Sequence, residues 1–382
     1  MKKRIVIIGA GCFQKALIEK AGEMGLETHV FAWEQGAEGK AAADYFYPVS
    51  IVEKERILEH CKMIRPHAVV TIASELANIT VQYLAEKLGL PCNTAQCVAM
   101  TTNKGMMRNA WKEKGISCPE YWILDQKCAE TFQPTAPYPL IVKPTDRSGS
   151  RGVRRVENDV ELQMAVREAL KYSFEKKVIV EEWIAGEEFS CECLSWKGQH
   201  HCLSITRKFT TGSPEYVETG HLEPASVEKQ DQIVREVFRG LDALEVSDGA
   251  SHTEFKIDTD GIVHLIETGS RMGGDCIGSD LVRLSTGIDY VKNVILIALG
   301  ETPQLTMEGH YKAAAIRFLI SDRDREMLQK VKEHPRLQLI YESTDTCGRN
   351  PVSDSSKRSG YFIFAGDEFE IVENAMEDLD EK

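Results

Sequence analysis

The stretch that most constrains this chain runs from Ser251 to Asp275, SHTEFKIDTDGIVHLIETGSRMGGD. Two runs of alternating apolar and polar residues flank Asp258-Thr259-Asp260-Gly261, and Asp-Gly between such runs is a strong hairpin signal. With Asp260 and Gly261 at the centre of the turn, Glu254 and Glu267 are direct cross-strand partners. Moving the centre by one residue leaves them diagonal, still on one face. Either register holds two carboxylates within roughly 5–8 Å of each other. Like charges so placed repel unless a cation lies between them or one takes a proton. A hard divalent cation with oxygen ligands, Mg²⁺ first, removes the conflict. The plain alternative is a solvated sheet face carrying two ordinary glutamates. Arg271, Gly273 and Gly274 follow directly and suit an anionic ligand that approaches the backbone closely, so the working reading is a metal site that handles phosphate.

The 382 residues correspond to two or three domains at about 150 each. A hydrophobic content of 42% and a charged content of 27% are ordinary for a globular enzyme. The net charge of −13 argues against nonspecific binding to nucleic acid or to an anionic membrane, while leaving room for a local basic pocket. No apolar run reaches the roughly 18 residues of a membrane span. The N-terminal run MKKRIVIIGAGCF is short, holds Gly9 and Gly11 and leads into a helical pattern, so it reads as a core strand and not a signal peptide. Eleven cysteines are scattered through apolar segments. Cys191-x-Cys193 lacks the second half of a zinc site, and most cysteines read as small buried hydrophobes in a reducing cytoplasm.

Along the chain, strands at 4–11, 27–33 and 67–74 alternate with helices that end near Gly25, Ile64 and Gly89, the pattern of a doubly wound α/β domain. Gly9-x-Gly11 resembles a dinucleotide fingerprint, but Gln14 stands where the third glycine belongs, which weakens an NAD-dependent oxidoreductase reading. Thr101-Thr102-Asn103 caps a helix through Lys114. Leu140–Pro144 is a strand ending in Lys143, followed by the Ser/Gly loop Thr145–Val153, whose N–H groups and hydroxyls could cover phosphate oxygens with Lys143 and Arg151 supplying charge. An ordinary hairpin loop is the plain alternative. Helices are expected at 159–172, 226–244 and 281–299, and strands at 178–184, 187–196, 200–209, 313–320 and 361–365, with a solvated helix finishing the acidic tail 373–382.

In this order the segments resemble the ATP-grasp superfamily, in particular the architecture shared by biotin carboxylase, purine-biosynthetic ATP-grasp enzymes and L-amino acid ligases. The resemblance implies an N-terminal doubly wound α/β domain (1–100), a central ATP-grasp domain of two α+β lobes (101–305, lid lobe about 120–184, metal lobe about 185–305) and a small C-terminal α+β domain (306–382). It implies that Lys104 and Lys143 neutralise phosphates and that Ser148, Gly149, Ser150 and Gly152 close over them. Glu181, Glu182, Trp183 and Ile184 would form the adenine hinge, and Glu188 would hold the ribose. Glu254 and Glu267 would hold Mg²⁺, or Mn²⁺ in its place, and Arg271 would steady the carboxylate or the acyl-phosphate. ATP would be the cofactor of an ADP-forming carboxylate–amine ligase acting on small-molecule carboxylates and amines, cytoplasmic, without nucleic-acid or membrane partners, and as a homodimer. A purine-pathway or carboxylase-type enzyme is the runner-up. One departure stands out: the family's Glu-x-Asn is here Glu267-Thr268-Gly269, which leaves a second metal to water or Asp275 and opens a third reading, a degenerate ATP-binding regulator. Lys208 and His221 read as surface or packing residues that fall near substrate-facing positions.

Overall fold

The computed structural model describes residues 2–129, 131–213, 216–344, 358 and 360–377. The first apolar runs form β1 (Arg4–Ile8), β2 (Glu27–Ala32), β3 (Tyr45–Pro48) and β4 (Ala68–Val70), all parallel, in the order β3-β2-β1-β4. Ile5 through Ile8 are fully buried because helices cover both faces of the sheet. Cys12–Glu23 and Tyr290–Ala298 cover one face, and Lys54–Ile64 and Glu75–Leu88 the other. Tyr290–Ala298 comes from the far end of the chain and joins this domain to the rest. The edge strand β3 escapes the sequence reading because it is only four residues long, exposed or half-buried throughout, and ends in Pro48. At the glycine turn, Gly9 takes a φ of +100°. The Gln14 carboxamide accepts from Gly11 N–H (3.0 Å) and donates to the Ile72 carbonyl (3.0 Å). Gln14 thus occupies the N–H at the N-cap, where a dinucleotide phosphate would approach, which weakens the NAD reading further.

A second sheet is antiparallel: β5 (Tyr121–Asp125), β6 (Leu140–Pro144), β7 (Arg154–Val156) and β8 (Lys177–Glu182), in the order β5-β8-β6-β7. One of its faces, Leu140, Val142, Val178 and Val180, is covered by Leu162, Ala165, Val166 and Ala169 of the helix Asp159–Tyr172. The other face looks toward a third sheet of eight strands. These are β9 (Glu187–Trp196), β10 (Gln199–Thr210), β11 (Glu218–Glu223), β12 (Gly249–Ile257), β13 (Val263–Gly269), β14 (Ala313–Phe318), β15 (Gln338–Thr344) and β16 (Gly360–Gly366), ordered β13-β12-β9-β10-β11-β14-β16-β15. Pairing of β11 with β14 makes the C-terminal strands extend the sheet that carries the hairpin. The helix Gln230–Ala243 buries Ile233, Val237 and Leu241 against Phe255 and Leu265.

Three local readings change. The expected helix over 281–299 is interrupted at Gly287, whose φ is +75° and whose added Cβ would stand 2.2 Å from the Glu308 carbonyl oxygen. The last helix is Phe369–Glu377, and residues 378–382 of the expected tail helix lie outside the described residues. The hairpin turn is not two residues long. Asp258 N–H bonds the Ile262 carbonyl (3.1 Å), and Asp258 Oδ1 accepts from Asp260 and Ile262 N–H (3.0 and 2.8 Å), closing the loop 258–262. Ile257 then pairs with Val263, a register that taken alone would set Glu254 opposite Ile266. A bulge between Glu254 and Phe255 takes up one residue and returns Glu254 to Glu267.

Gly186 joins β8 to β9 with φ +138°, and a Cβ there would stand 2.0 Å from the Ile257 carbonyl oxygen. Gly186→Ala is expected to cost about 2 kcal/mol or more, read as a lower urea midpoint. Gly22→Ala, inside a helix with nothing within 4 Å, should instead stabilise by about 0.5–1 kcal/mol.

Candidate active site

Segments far apart in sequence converge on a cavity of about 1070 Å³ between the second sheet and the eight-stranded sheet. The hairpin contributes Glu254 and Glu267, which face each other in direct register. Each carboxylate already meets an ammonium group. Lys104, first residue of the helix Lys104–Glu113, places Nζ 2.8 Å from Glu267 Oε1 and donates to the Arg147 carbonyl at 2.8 Å. One buried lysine thus ties the hairpin to the loop after β6. Lys208 on β10 lies 3.3 Å from Glu254 Oε1, 2.7 Å from Glu188 Oε1 and 3.5 Å from Glu218 Oε1. Burial penalises the charged form of Lys208, but Glu188, Glu254 and Glu218 outweigh it and hold the ammonium well above its ordinary range. Burial likewise opposes the Glu254 carboxylate, and Lys208 and then His252 hold it well below its usual value.

The roof comes from the second sheet. Lys143 on β6 lies 2.6 Å from Glu181 Oε2 on β8, and Arg108 lies 2.8 Å from Glu181 Oε1. Burial pushes Lys143 down in spite of this partner. It also opposes the Glu181 carboxylate, which Arg108 and Lys143 nevertheless keep below its ordinary value. Glu181 is therefore the counter-charge of two cations, while Glu182, Trp183 and Ile184 line the cavity beside it. Lys256 donates to the Ile184 carbonyl at 3.3 Å and lies 3.9 Å from the centre of the Trp183 ring. Ser148, Gly149 and Ser150 form one wall of the cavity. Gly152 falls outside it, in a left-handed turn (φ +74°) against Pro144 and Tyr172, and Arg151 is exposed.

Arg271 reaches the cavity from beyond the hairpin. Its guanidinium bonds Glu75 at the start of the helix Glu75–Leu88, with Nε 2.8 Å from Oε1. Burial opposes this carboxylate, but Arg271 holds it down at about 2. Arg271 also explains Gly269: a Cβ there would stand 3.3 Å from the guanidinium carbon, so the cation fills the space beside Glu267. Asp275 is not free to help at the metal position. Arg358 binds both of its oxygens (2.8 and 2.6 Å), and His221 lies 3.5 Å away. Lys208, read from sequence as surface or packing, is a part-buried centre of the charge network, whereas His221 does pack, edge-on against Phe318.

Sequence reasoning missed Glu75, Arg108, His252, Lys256 and Glu218. His252 and Lys256 were within reach, because residues two apart on a strand share the face of Glu254. His252 Nδ1 bonds Glu192, and Nε2 lies 3.5 Å from Glu254. Burial opposes its charge, yet Glu192 pushes the imidazole up to about 9. Glu75 and Arg108 gave no local signal beyond a helix start and a helical position.

Residues 136–279, which span the Ser/Gly loop and the carboxylate hairpin, match the ATP-grasp domain family. The chain carries an ATP-grasp domain. Curated relatives of this chain include D-alanine--D-alanine ligase from Pseudomonas entomophila, 26% identical over 57% of this chain and 70% of the relative. Formate-dependent phosphoribosylglycinamide formyltransferase from Prochlorococcus marinus is 26% identical over 53% of this chain and 57% of the relative. Among solved structures, the fold is similar to L-amino acid ligase from Bacillus licheniformis, with a TM-score of 0.83 at 24% identity over 99% of this chain and 97% of the other. It is also similar to an ADP complex of an N5-carboxyaminoimidazole ribonucleotide synthetase, with a TM-score of 0.78 at 16% identity over 99% and 96%. No described helix is long and apolar enough to cross a membrane.

One buried acid in the same sheet gives a pH test away from the proposed ligand contacts. Glu223, fully buried on β11, accepts from Ser285 Oγ (2.9 Å) and Thr206 Oγ1 (3.1 Å), and burial pushes its carboxyl up to about 8. Its folded value lies above the unfolded one, so its contribution is complete at acid pH and is lost as pH rises from about 4.5 to about 8. Glu223→Gln should flatten that decline in urea-unfolding free energy and be at least as stable as the parent at pH 8.

Proposed function

We propose that this protein is an ATP-dependent carboxylate–amine ligase. The observation that carries the proposal is the Glu254–Glu267 pair, flanked by Lys104 and Lys208 and facing Lys143 and the Ser148–Ser150 wall across one cavity. The domain division 1–100, 101–305 and 306–382, with a lid lobe at about 120–184, belongs to the same proposal. Adenine would lie against the Trp183–Ile184 main chain near Lys256, with Glu182 at its edge and Glu188 on the ribose. Glu181 acts through Lys143, fixing its ammonium toward the phosphates. Lys104, Lys143 and the Ser148–Ser150 loop would take the β- and γ-phosphates, the loop closing as a lid held at Arg147 by Lys104.

The donor set suits a hard cation: two carboxylates share one register, and both are now faced by ammonium groups in a part-buried pocket. Glu254 and Glu267 would hold Mg²⁺, or Mn²⁺ in its place, which when bound neutralises phosphate oxygens. A substrate carboxylate oxygen bonds the γ-phosphorus as the bond to ADP breaks, giving an acyl-phosphate. An amine then bonds the carbonyl carbon, phosphate leaves with the bonding pair, and the ammonium proton passes to solvent or base. Activation is needed because a carboxylate is a poor electrophile and phosphate a good leaving group. Arg271, positioned by Glu75, would bind the carboxylate and the charge that grows on the acyl-phosphate. A cytoplasmic setting and a homodimer complete the proposal, the dimer to be checked by light scattering.

Mg²⁺·ATP should raise the thermal midpoint and NAD(H) should not. A screen of amino acids and small carboxylates should find pairs that release ADP and phosphate. Glu267→Gln should lower that rate about a hundredfold. Formation of AMP and diphosphate, or stabilisation by NAD(H) alone, would remove the ligase reading, while turnover with bicarbonate as the carboxylate would favour the carboxylase-type runner-up.

A further inference from the structure

Strand β9 turns Glu192 toward the cavity, where it bonds His252 and Gly273, so the neighbouring residues Cys191 and Cys193 point to the opposite face. There β10 brings in Cys202, the cross-strand partner of Cys193, next to a bulge between Cys202 and Ser204. Cys191 Sγ lies 3.5 Å from the Sγ atoms of both Cys193 and Cys202, and the three sulfurs all fall within 4.8 Å of one another. These contacts are far longer than the roughly 2.05 Å of a disulfide, and all three are free thiols. Thiols need not converge this way to fill a core, where each could instead meet a methyl group.

The surroundings decide which ligand suits them. Cys191 and Cys193 are fully buried among Phe189, Ile205 and Val237, and only Cys202 is half-buried. The charged neighbour that acts on Cys193 and Cys202 is an acid, Glu192. Three thiolates around a divalent ion leave one negative charge, and around a monovalent ion two, in an apolar layer that disfavours either. Around a trivalent centre the complex is neutral and needs no fourth ligand. We propose that Cys191, Cys193 and Cys202 form a binding site for a trivalent thiophile of the arsenite class, separate from the nucleotide cavity and independent of the ligase reading.

The step balances without any oxidant or reductant. Arsenous acid, itself uncharged and able to enter an apolar layer, exchanges three As–O bonds for three As–S bonds. The three thiol protons leave with the three hydroxyls as water, and arsenic stays trivalent. Cys202, the half-buried thiol of the three, meets an incoming ligand first.

Native mass spectrometry of the full chain with arsenite, in a monothiol reductant, tests this directly. One arsenic per chain is expected, with the mass of arsenic gained and three hydrogens lost, and with a raised thermal midpoint. Cys202→Ser should abolish uptake, while serine at the exposed Cys12 and Cys128 should not. X-ray absorption at the arsenic edge of the loaded wild-type chain should show three sulfur neighbours, which holds the test open if a serine variant fails to fold. No uptake, uptake unchanged in Cys202→Ser, fewer than three sulfurs, or displacement of arsenic by equimolar Cd²⁺ or Zn²⁺ would overturn the proposal.

Discussion

Two carboxylates set face to face across a hairpin cannot stay charged in a part-buried pocket without cations to answer them. Glu254 and Glu267 are answered by Lys208 and Lys104, which come from β10 and from the helix before the second sheet. The demand for charge balance therefore draws distant segments together. Lys208 gathers Glu188 and Glu218 as well, and Lys104 also holds the Arg147 carbonyl of the loop after β6. On the proposed reading, a nucleotide and its cation would take over these pairings, so the charges are balanced before the ligand arrives.

The two sides of the cavity are joined to the body by different means. The N-terminal domain shares an apolar core with Tyr290–Ala298 and is clamped by Arg271 to Glu75. The second sheet has its own core around Leu140, Val142, Val178 and Val180. It meets the body through the Gly186 connection, the Lys104 tether and the Lys143–Glu181–Arg108 cluster. Contacts made of ions over a polar cavity rearrange more readily than a packed apolar core, which supports the proposal that this sheet acts as a lid.

The sequence carried much of this because its signals are local. Alternation placed β12 and β13, Asp-Gly marked the turn region, and the Ser/Gly run marked the loop after β6. Even there, the register came right for another reason: the turn spans 258–262, and a bulge restores the pairing of Glu254 with Glu267. Gly152 shows the limit of composition, since it answers a crowded turn against Tyr172 while its neighbours line the cavity. Lys208 could not be ranked from sequence, because a single lysine in a strand has the same pattern whether it faces water or three acids.

What the sequence determined by itself was the longer strands and helices and their alternation, the family likeness and the shared face of Glu254 and Glu267, since strand periodicity and turn chemistry act over a few residues. Only the tertiary structure decided that Glu181 serves Lys143, that Arg271 fills the space left by Gly269 and leans on Glu75, and that Cys202 completes a trio with Cys191 and Cys193. Those pairings depend on which charges and sulfurs are brought within a few ångströms by packing between sheets, and that distance is not written in any local stretch of chain.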